Sequence, residues 1–249
     1  MRSPLGTTIL AAFSWLALLP AGARCALRLD VESGLVGSGY NDVRIPGDTG
    51  TLFSLSEDLA TDSAPYFRAR IEYAFGGRHA ISALYAPLTL TAAGTLADAV
   101  IFADAEFPAG TEVEGTYTFN SYRLTYRYTL AESDRFEAGV GFTAKIRDAL
   151  IRVEGGGQSA EKTNVGFVPL LNFRLAWDLT DRVGLLLEGD ALAAPQGRAE
   201  DVVAALLYDA TDHVQFRLGY RVVEGGADND EVYTFALLNY ASAGVVISF

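Results

Sequence analysis

The segment Phe136-Glu-Ala-Gly-Val-Gly-Phe-Thr-Ala-Lys-Ile-Arg147 alternates between two kinds of side chain. In an extended strand, Phe142 and Ile146 fall on one face, whereas Lys145 and Arg147 fall on the other. The same period of two, apolar against polar or charged, recurs in residues 67–75, 122–128 and 214–222. The chain is therefore predicted to be built from β-strands rather than helices.

Segments with this pattern divide the chain into ten predicted strands: 27–36, 66–76, 79–91, 115–130, 135–153, 163–178, 183–194, 200–209, 213–224 and 231–249. The connections between them are unequal. Tight turns are expected at 77–78, 131–134, 179–182 and 210–212, and longer loops at 37–65, 92–114, 154–162, 195–199 and 225–230. Short turns at one end and longer loops at the other are typical of a transmembrane β-barrel.

The N-terminal segment has the layout of a secretory signal peptide. Met1 and Arg2 precede an apolar stretch over residues 7–19, and small residues follow it. We expect cleavage after Ala23 or Cys25, so that residues 1–25 are a signal peptide and residues 26–249 form one β-barrel domain. The formal net charge of −12 argues against nucleic acid as a partner, because affinity for nucleic acid depends on neutralising phosphates.

A secreted β-sandwich is the alternative, because its strands alternate with the same period. Two features favour the barrel. Aromatic residues of the apolar face collect near the tight turns, as in the interfacial girdle of a membrane barrel: Tyr73, Phe75, Tyr126, Tyr128, Phe136, Trp177, Tyr208, Phe216 and Phe249. The second feature is the last strand, which ends on an alternating apolar ladder.

That last segment resembles the C-terminal signal of bacterial outer-membrane barrels. Ser242, Gly244, Ile247 and Phe249 supply the polar residue, glycine, hydrophobic residue and terminal aromatic at the spacing of that signal. The resemblance implies delivery by periplasmic chaperones and insertion by the barrel-assembly machinery into outer-membrane lipid and lipopolysaccharide. The predicted fold is an all-β, antiparallel, up-and-down transmembrane barrel of about ten strands, of the small Gram-negative outer-membrane type and of no specific characterised family. The sequence does not indicate an oligomeric state.

The inward faces of the predicted strands carry many charges. They comprise ten basic and six acidic residues. The residues expected to form a lumen charge network are Arg68, Arg70, Glu72, Arg123, Arg127, Glu137, Lys145, Arg174, Glu188, Asp190, Arg217 and Arg221, and Arg28, Asp30, Glu32 and Arg147 complete the set. Either the charges pair and plug a narrow lumen, which we favour, or they line a thin anion-selective passage.

Because the inward acids are fewer than the arginines, acidic residues of the first loop are candidates to fold into the lumen. Glu57 and Asp58 are the nearest, and Ser54-Leu-Ser-Glu57 reads as a capping box for a short helix over residues 55–60.

The sequence shows no recognisable catalytic constellation. His79 and His213 both fall at predicted tight turns, away from the outer rim. Glu188 and Asp190 lie on one face of a strand and could share a proton, but salt bridging by inward arginines is the commoner use of such a pair. We expect no cofactor and no metal site.

The expected function is that of a non-enzymatic outer-membrane protein, structural or a narrow passage for small solutes or anions. The alternatives are an outer-membrane enzyme acting on lipid or peptide at the extracellular rim, and an adhesin or receptor that binds through residues 37–65 and 92–114.

Overall fold

The computed structural model describes residues 26–195 and 197–249, so the predicted signal peptide lies outside the described residues. Fifteen strands are found there: β1 Ala26–Arg44, β2 Phe53–Ser54, β3 Ala60–Thr61, β4 Ala64–Phe75, β5 His79–Ala86, β6 Thr89–Thr95, β7 Val100–Phe102, β8 Ala105–Phe107, β9 Glu112–Ser133, β10 Phe136–Gly155, β11 Gln158–Asp178, β12 Val183–Ala194, β13 Gly197–Asp209, β14 Val214–Asp228 and β15 Tyr233–Ser248. No helix in this part of the chain is long and apolar enough to cross a membrane.

Ten of these strands close into one antiparallel barrel. Each long strand pairs with its neighbours in the order β1, β4, β5, β9, β10, β11, β12, β13, β14 and β15, and β15 pairs with β1 along 16 matched residues. Because the first and last strands pair with each other, the barrel has no open edge. An open sheet would expose the unpaired N–H and C=O groups of its two outer strands to lipid. The predicted fold class, an up-and-down barrel of about ten strands, is confirmed.

The alternation in the sequence places apolar side chains outside and charged side chains inside. On β10, Phe142 and Ile146 are exposed on the outer face, whereas Thr143 and Lys145 are buried in the lumen. The outer face is apolar on the other strands as well, as shown by the exposed residues Leu35, Ile71, Leu124, Phe167, Leu187, Leu206 and Leu218. An apolar outer band over a polar interior is the arrangement that a lipid-embedded barrel needs.

The tight turns lie together at one end of the barrel. They occupy residues 76–78, 134–135, 179–182 and 210–213, and the chain end at Phe249 lies with them, since its N–H donates to the Leu27 carbonyl over 2.9 Å. The exposed aromatics Trp177, Tyr208 and Phe216 are also at this end. By analogy with barrels of this class we call it the periplasmic end, and the opposite end the outer end.

At the outer end the strands run further than predicted. The loop expected at 154–162 is a two-residue turn at 156–157, because β10 and β11 stay paired from Phe136 up to Gly155 and Gln158. Both turn glycines have positive φ, +57° and +82°, which side chains other than glycine rarely adopt. The loops expected at 195–199 and 225–230 are likewise mostly strand, since β13 begins at Gly197 and β14 continues to Asp228.

The predicted helix over residues 55–60 is wrong. Ser54 does accept hydrogen bonds from the Ser56 and Glu57 amides, at 3.4 and 3.3 Å, but the segment makes a single turn and enters β3 at Ala60. One capping interaction cannot nucleate a helix without a following run of helical hydrogen bonds.

The two longest connections, 45–63 and 96–111, fold over the outer end and share an apolar core. Phe53 packs edge-on against Phe102 with ring centroids 5.9 Å apart, and the Ala103 amide donates to the Ile45 carbonyl over 2.8 Å. The fully buried members of this core include Val43, Leu55, Leu59, Leu90, Phe102, Phe107, Val153 and Leu238. These connections are therefore a packed cap rather than open loops.

The barrel wall changes height abruptly between β11 and β12. β11 pairs with β10 along its whole length, but it pairs with β12 only from Leu171 to Asp178. Within the described residues, the edge of β11 from 158 to 170 therefore has no hydrogen-bonded partner strand, over a length of roughly 40 Å along the strand. Phe167, opposite Ile146 on β10, is still in the apolar outer band, so this wall gap begins inside the band.

Candidate functional site

Asp201 on β13 is the centre of a buried layer of charges that crosses the lumen. Its carboxylate accepts hydrogen bonds from Arg68 at 2.8 Å, Arg123 at 2.6 Å and Arg221 at 2.5 Å. Since Arg68 lies on β4 and Arg123 on β9, each four strands away around the ring, these bonds span the interior rather than follow the wall. All three arginines and Asp201 are buried.

Asp190 extends this layer towards β10 and β11. It accepts from Arg123 at 2.7 Å, from the Thr143 hydroxyl at 2.6 Å and from the Asn172 amide at 2.8 Å. Thr143 is in turn within 2.8 Å of the Thr125 hydroxyl. The carboxylate is thus held by one charged and two neutral donors, which satisfies a group that would be costly to bury alone.

Glu188 forms a second layer, closer to the periplasmic end. It pairs with Arg70 on β4, with Arg174 at 2.8 Å and with Arg127 at 3.6 Å. Arg127 also reaches Glu72 at 2.7 Å, and Arg174 reaches Glu137 at 3.1 Å. Arg70 and Glu188 sit on strands five places apart in the ten-strand ring, so this pair also crosses the full lumen.

Two acids of β1 complete the network. Glu32 accepts from Arg221 at 2.7 Å and from Arg217 at 3.3 Å, and Asp30 accepts from Arg217 at 2.5 Å. Gly244 on β15 makes room for this arrangement: a Cβ there would lie 3.2 Å from the Arg217 guanidinium. The glycine of the C-terminal segment therefore also serves the packing of the interior.

Eleven of the twelve residues expected in the lumen charge network are joined by ion pairs, namely Arg68, Arg70, Glu72, Arg123, Arg127, Glu137, Arg174, Glu188, Asp190, Arg217 and Arg221. Lys145 is the exception, since no ion pair of its ammonium is found among the described residues. Glu57 and Asp58 do not enter the lumen; both are exposed, and Asp58 accepts from the Ser54 amide at 2.7 Å.

Sequence reasoning missed Asp201. The strand that carries Asp201 is apolar on both faces from Val202 to Leu207. The sequence therefore does not indicate which face of this strand points into the lumen. The inward position of Asp201 follows only from the structure, in which Val203, two residues further along the strand, is buried on the lumen side.

The buried layers separate two cavities that share no lining residue. The periplasmic cavity, of about 390 Å³, is polar, and Arg28, Asp30, Glu72 and Gln215 are among its walls. The outer cavity, of about 500 Å³, is mostly apolar and lies beside the wall gap. Asp201, Arg123 and Asp190 line neither of them. The lumen is therefore divided at mid-height by side chains.

The residues of the C-terminal segment lie on β15 at the closure of the barrel. Ser242 is buried opposite Gly34 of β1, and Ile247 pairs with Leu29. Phe249 is 66% exposed on the outer side at the periplasmic end. This position suits an aromatic side chain in the interfacial region of a bilayer.

Neither histidine is near a catalytic arrangement. His79 is 2.7 Å from the Tyr126 hydroxyl and stacks on Phe75, while His213 is exposed and contacts the Ser248 carbonyl at 3.1 Å. Both lie at the periplasmic end. The described residues contain no group of three or more His, Cys, Asp or Glu side chains suited to hold a metal ion.

No protein-family model matches the chain, and no curated protein matches it either. Solved structures do match. The outer membrane protease OmpT from Escherichia coli superposes with a TM-score of 0.58 at 10% identity, covering 90% of this chain and 97% of that one. Ail, the attachment invasion locus protein of Yersinia pestis, gives 0.40 at 11% identity, covering 90% and 99%, and the toluene transporter TodX of Pseudomonas putida gives 0.33 at 11%, covering 94% and 90%. At such identities the OmpT match establishes the outer-membrane barrel fold alone.

Proposed function

We propose that this chain is an integral, non-enzymatic protein of the bacterial outer membrane whose lumen is closed to solutes. The observation that carries this proposal is the Asp201 layer, in which three buried arginines from three strands converge on one carboxylate. A water-filled passage would leave such groups hydrated and mobile, whereas here they are bonded to one another across the barrel.

The absence of catalysis is supported by how the carboxylates are used. Glu188 and Asp190, the candidate catalytic carboxylates, each accept from arginine and are buried below the outer cavity rather than at the rim. The Glu188 carboxylate is held by three guanidinium groups, and the Asp190 carboxylate by one guanidinium group and two neutral donors, so neither is free to contact a substrate. The proposal also includes insertion by the barrel-assembly machinery, with Phe249 as the recognition element, and lipopolysaccharide as the lipid of the outer face.

Closure is tested by planar-bilayer recording of the refolded protein. We expect no stable current at low voltage, because an ion would have to break several buried pairs to pass. The matched variant Arg152→Met, which alters an exposed pair on the outside of β10, should be equally silent. A steady, anion-preferring conductance from the unaltered protein would refute closure.

The non-enzymatic part is tested separately. The mass of lipid A is compared between cells that carry the protein and cells that lack it, and cell-surface peptides are assayed for cleavage. We expect no difference. A changed lipid A mass, or a new cleavage product that disappears in Asp190→Asn, would show catalysis and overturn this part of the proposal.

A further inference from the structure

The wall gap between β11 and β12 opens into the outer cavity. Phe167, Val168 and Pro169 of β11 line the cavity on one side of the gap, and Leu192 and Ala194 of β12 line it on the other. The cavity therefore extends to the edges of both strands.

Such an edge is unusual in a bilayer. Unpaired backbone N–H and C=O groups are tolerated at membrane depth only where they are buried in protein or line a cavity. Pro169 has no N–H, and proline in a sheet is confined to edges and bulges for that reason. At Pro169, two residues before the pairing with β12 begins, there is thus no N–H group to satisfy.

The walls of the cavity are mostly apolar, and the charges of Arg198 and Glu224 in them are paired with each other, but the base of the cavity is cationic. Lys145 is only 4% exposed and projects inward at the level of Val168, with its ammonium 4.6 Å above the ring of Phe119. It has no ion-pair or hydrogen-bond partner among the described residues. Burial of a charged ammonium without a partner is costly, so a bound anion would stabilise the charged form of Lys145.

Arg147 lies one step further along the inward face of β10. It donates to the Asn164 side chain, while its buried Nε has no partner. Lys162 lines the outer part of the cavity, where Glu231 approaches it at 3.9 Å. The unneutralised positive charge is therefore concentrated at Lys145 and Arg147, directly behind the gap.

We propose that the outer cavity binds a single-chain anionic amphiphile from the outer leaflet. The carboxylate or phosphate head group bonds to Lys145 and Arg147, and the hydrocarbon chain leaves through the wall gap into the membrane. A cavity of about 500 Å³ is within the usual range for one small ligand and suits one head group and one chain. This inference rests on the proposed function, because the closed Asp201 layer separates the outer cavity from the periplasmic cavity.

Binding is measured with the refolded protein in nanodiscs of zwitterionic phospholipid, using a diazirine-labelled palmitic acid as the probe. We expect saturable cross-linking to the unaltered protein. In Lys145→Met the affinity should fall about tenfold or more, because a charge-assisted hydrogen bond is lost. Lys145→Arg should retain binding, and Arg152→Met, which removes a positive charge from the opposite face of the same strand, should bind normally.

The cross-linked positions give a second readout that does not depend on any variant. They should fall within residues 166–170 and 191–194, on the two sides of the gap. Cross-links confined to the periplasmic cavity, or equal binding by the unaltered protein and Lys145→Met, would overturn the proposal. Dodecyl phosphate should compete with the probe and dodecanol should not.

Lipid A is the further competitor that separates possible sources of the head group. If it displaces the palmitic acid probe completely at equal concentration, the ligand is a multi-chain lipid and the single-chain assignment is wrong.

Failure of the proposed function would be recognised by a different measurement, the conductance of the protein in planar bilayers. A stable conductance in planar bilayers would refute the closed lumen whatever the probe does, whereas silence together with absent binding would refute this inference alone.

Discussion

Replacing Asp201 with asparagine tests whether the layer across the lumen is dry and paired. The substitution keeps the side-chain volume but removes the charge that Arg68, Arg123 and Arg221 share. Arg123 retains Asp190, and Arg221 retains Glu32. Arg68, in contrast, has no second ion pair among the described residues. One buried guanidinium is therefore stranded.

Removing one partner of a buried pair typically costs about 3–5 kcal/mol, because the other charge stays buried without compensation. Since the asparagine oxygen can still accept one bond, we expect a loss of about 3 kcal/mol in the free energy of unfolding. The measurement is reversible urea unfolding in lipid vesicles. Arg68→Met in the Asp201→Asn background removes the stranded charge and should recover part of the loss, giving a coupling energy between the two sites.

Glu161→Gln is the matched control, because it breaks the exposed Arg152–Glu161 pair, whose side chains are 40% and 47% exposed. That change should cost less than about 1 kcal/mol. If Asp201→Asn costs no more than the control, then the layer is wet, and the argument for a closed lumen fails.

Three further predictions follow from the fold. Glu188→Ala should also destabilise the barrel by several kcal/mol, since it leaves Arg70 without its partner, and a loss below about 1 kcal/mol in the same unfolding assay would contradict burial of that pair. Phe249→Asp should reduce the amount of folded protein in outer-membrane fractions, because a charge replaces the exposed terminal aromatic, and an unchanged yield would exclude a role for that residue in assembly. Protease added to intact cells should cleave only at the outer end, within 45–63 or 96–111, whereas a cut at 134–135 with the membrane intact would reverse the orientation.

The strands could be predicted because their signal is local. The alternation of apolar and polar residues is visible within short segments of β4, β9, β10 and β14. The position of a residue in that alternation then predicts whether its side chain points outward or into the lumen. The folded cap could not be predicted in this way. Its apolar residues, such as Leu55, Leu59 and Phe102, are spread over two connections and have no common period, so their shared core appears only when the connections meet in space.

The pairing of strands was predictable in order but not in extent. Tight turns fix which strands are neighbours, but the step at Leu171 depends on the unequal lengths of two hairpins, β10–β11 and β12–β13. The sequence pattern predicts that β11 starts at residue 163, whereas the strand starts at Gln158. The difference in length between the two hairpins was therefore underestimated. The outer cavity lies beside the end of the β11–β12 pairing at Leu171. Because the start of β11 was predicted wrongly, the cavity could not be predicted either.

The sequence correctly predicted an excess of basic side chains in the lumen. The prediction that acidic loop residues compensate for it was wrong. The apparent shortage of acids suggested that Glu57 and Asp58 fold inward, yet the additional acid is Asp201, which comes from a barrel strand and pairs with three arginines. The excess that remains is not spread along the barrel. It is concentrated at Lys145 and Arg147, on the outer side of the paired layers, where no described carboxylate lies within ion-pair distance of either side chain. The site proposed for the anionic head group therefore lies on the outer side of the paired layers, at the height where the wall is open.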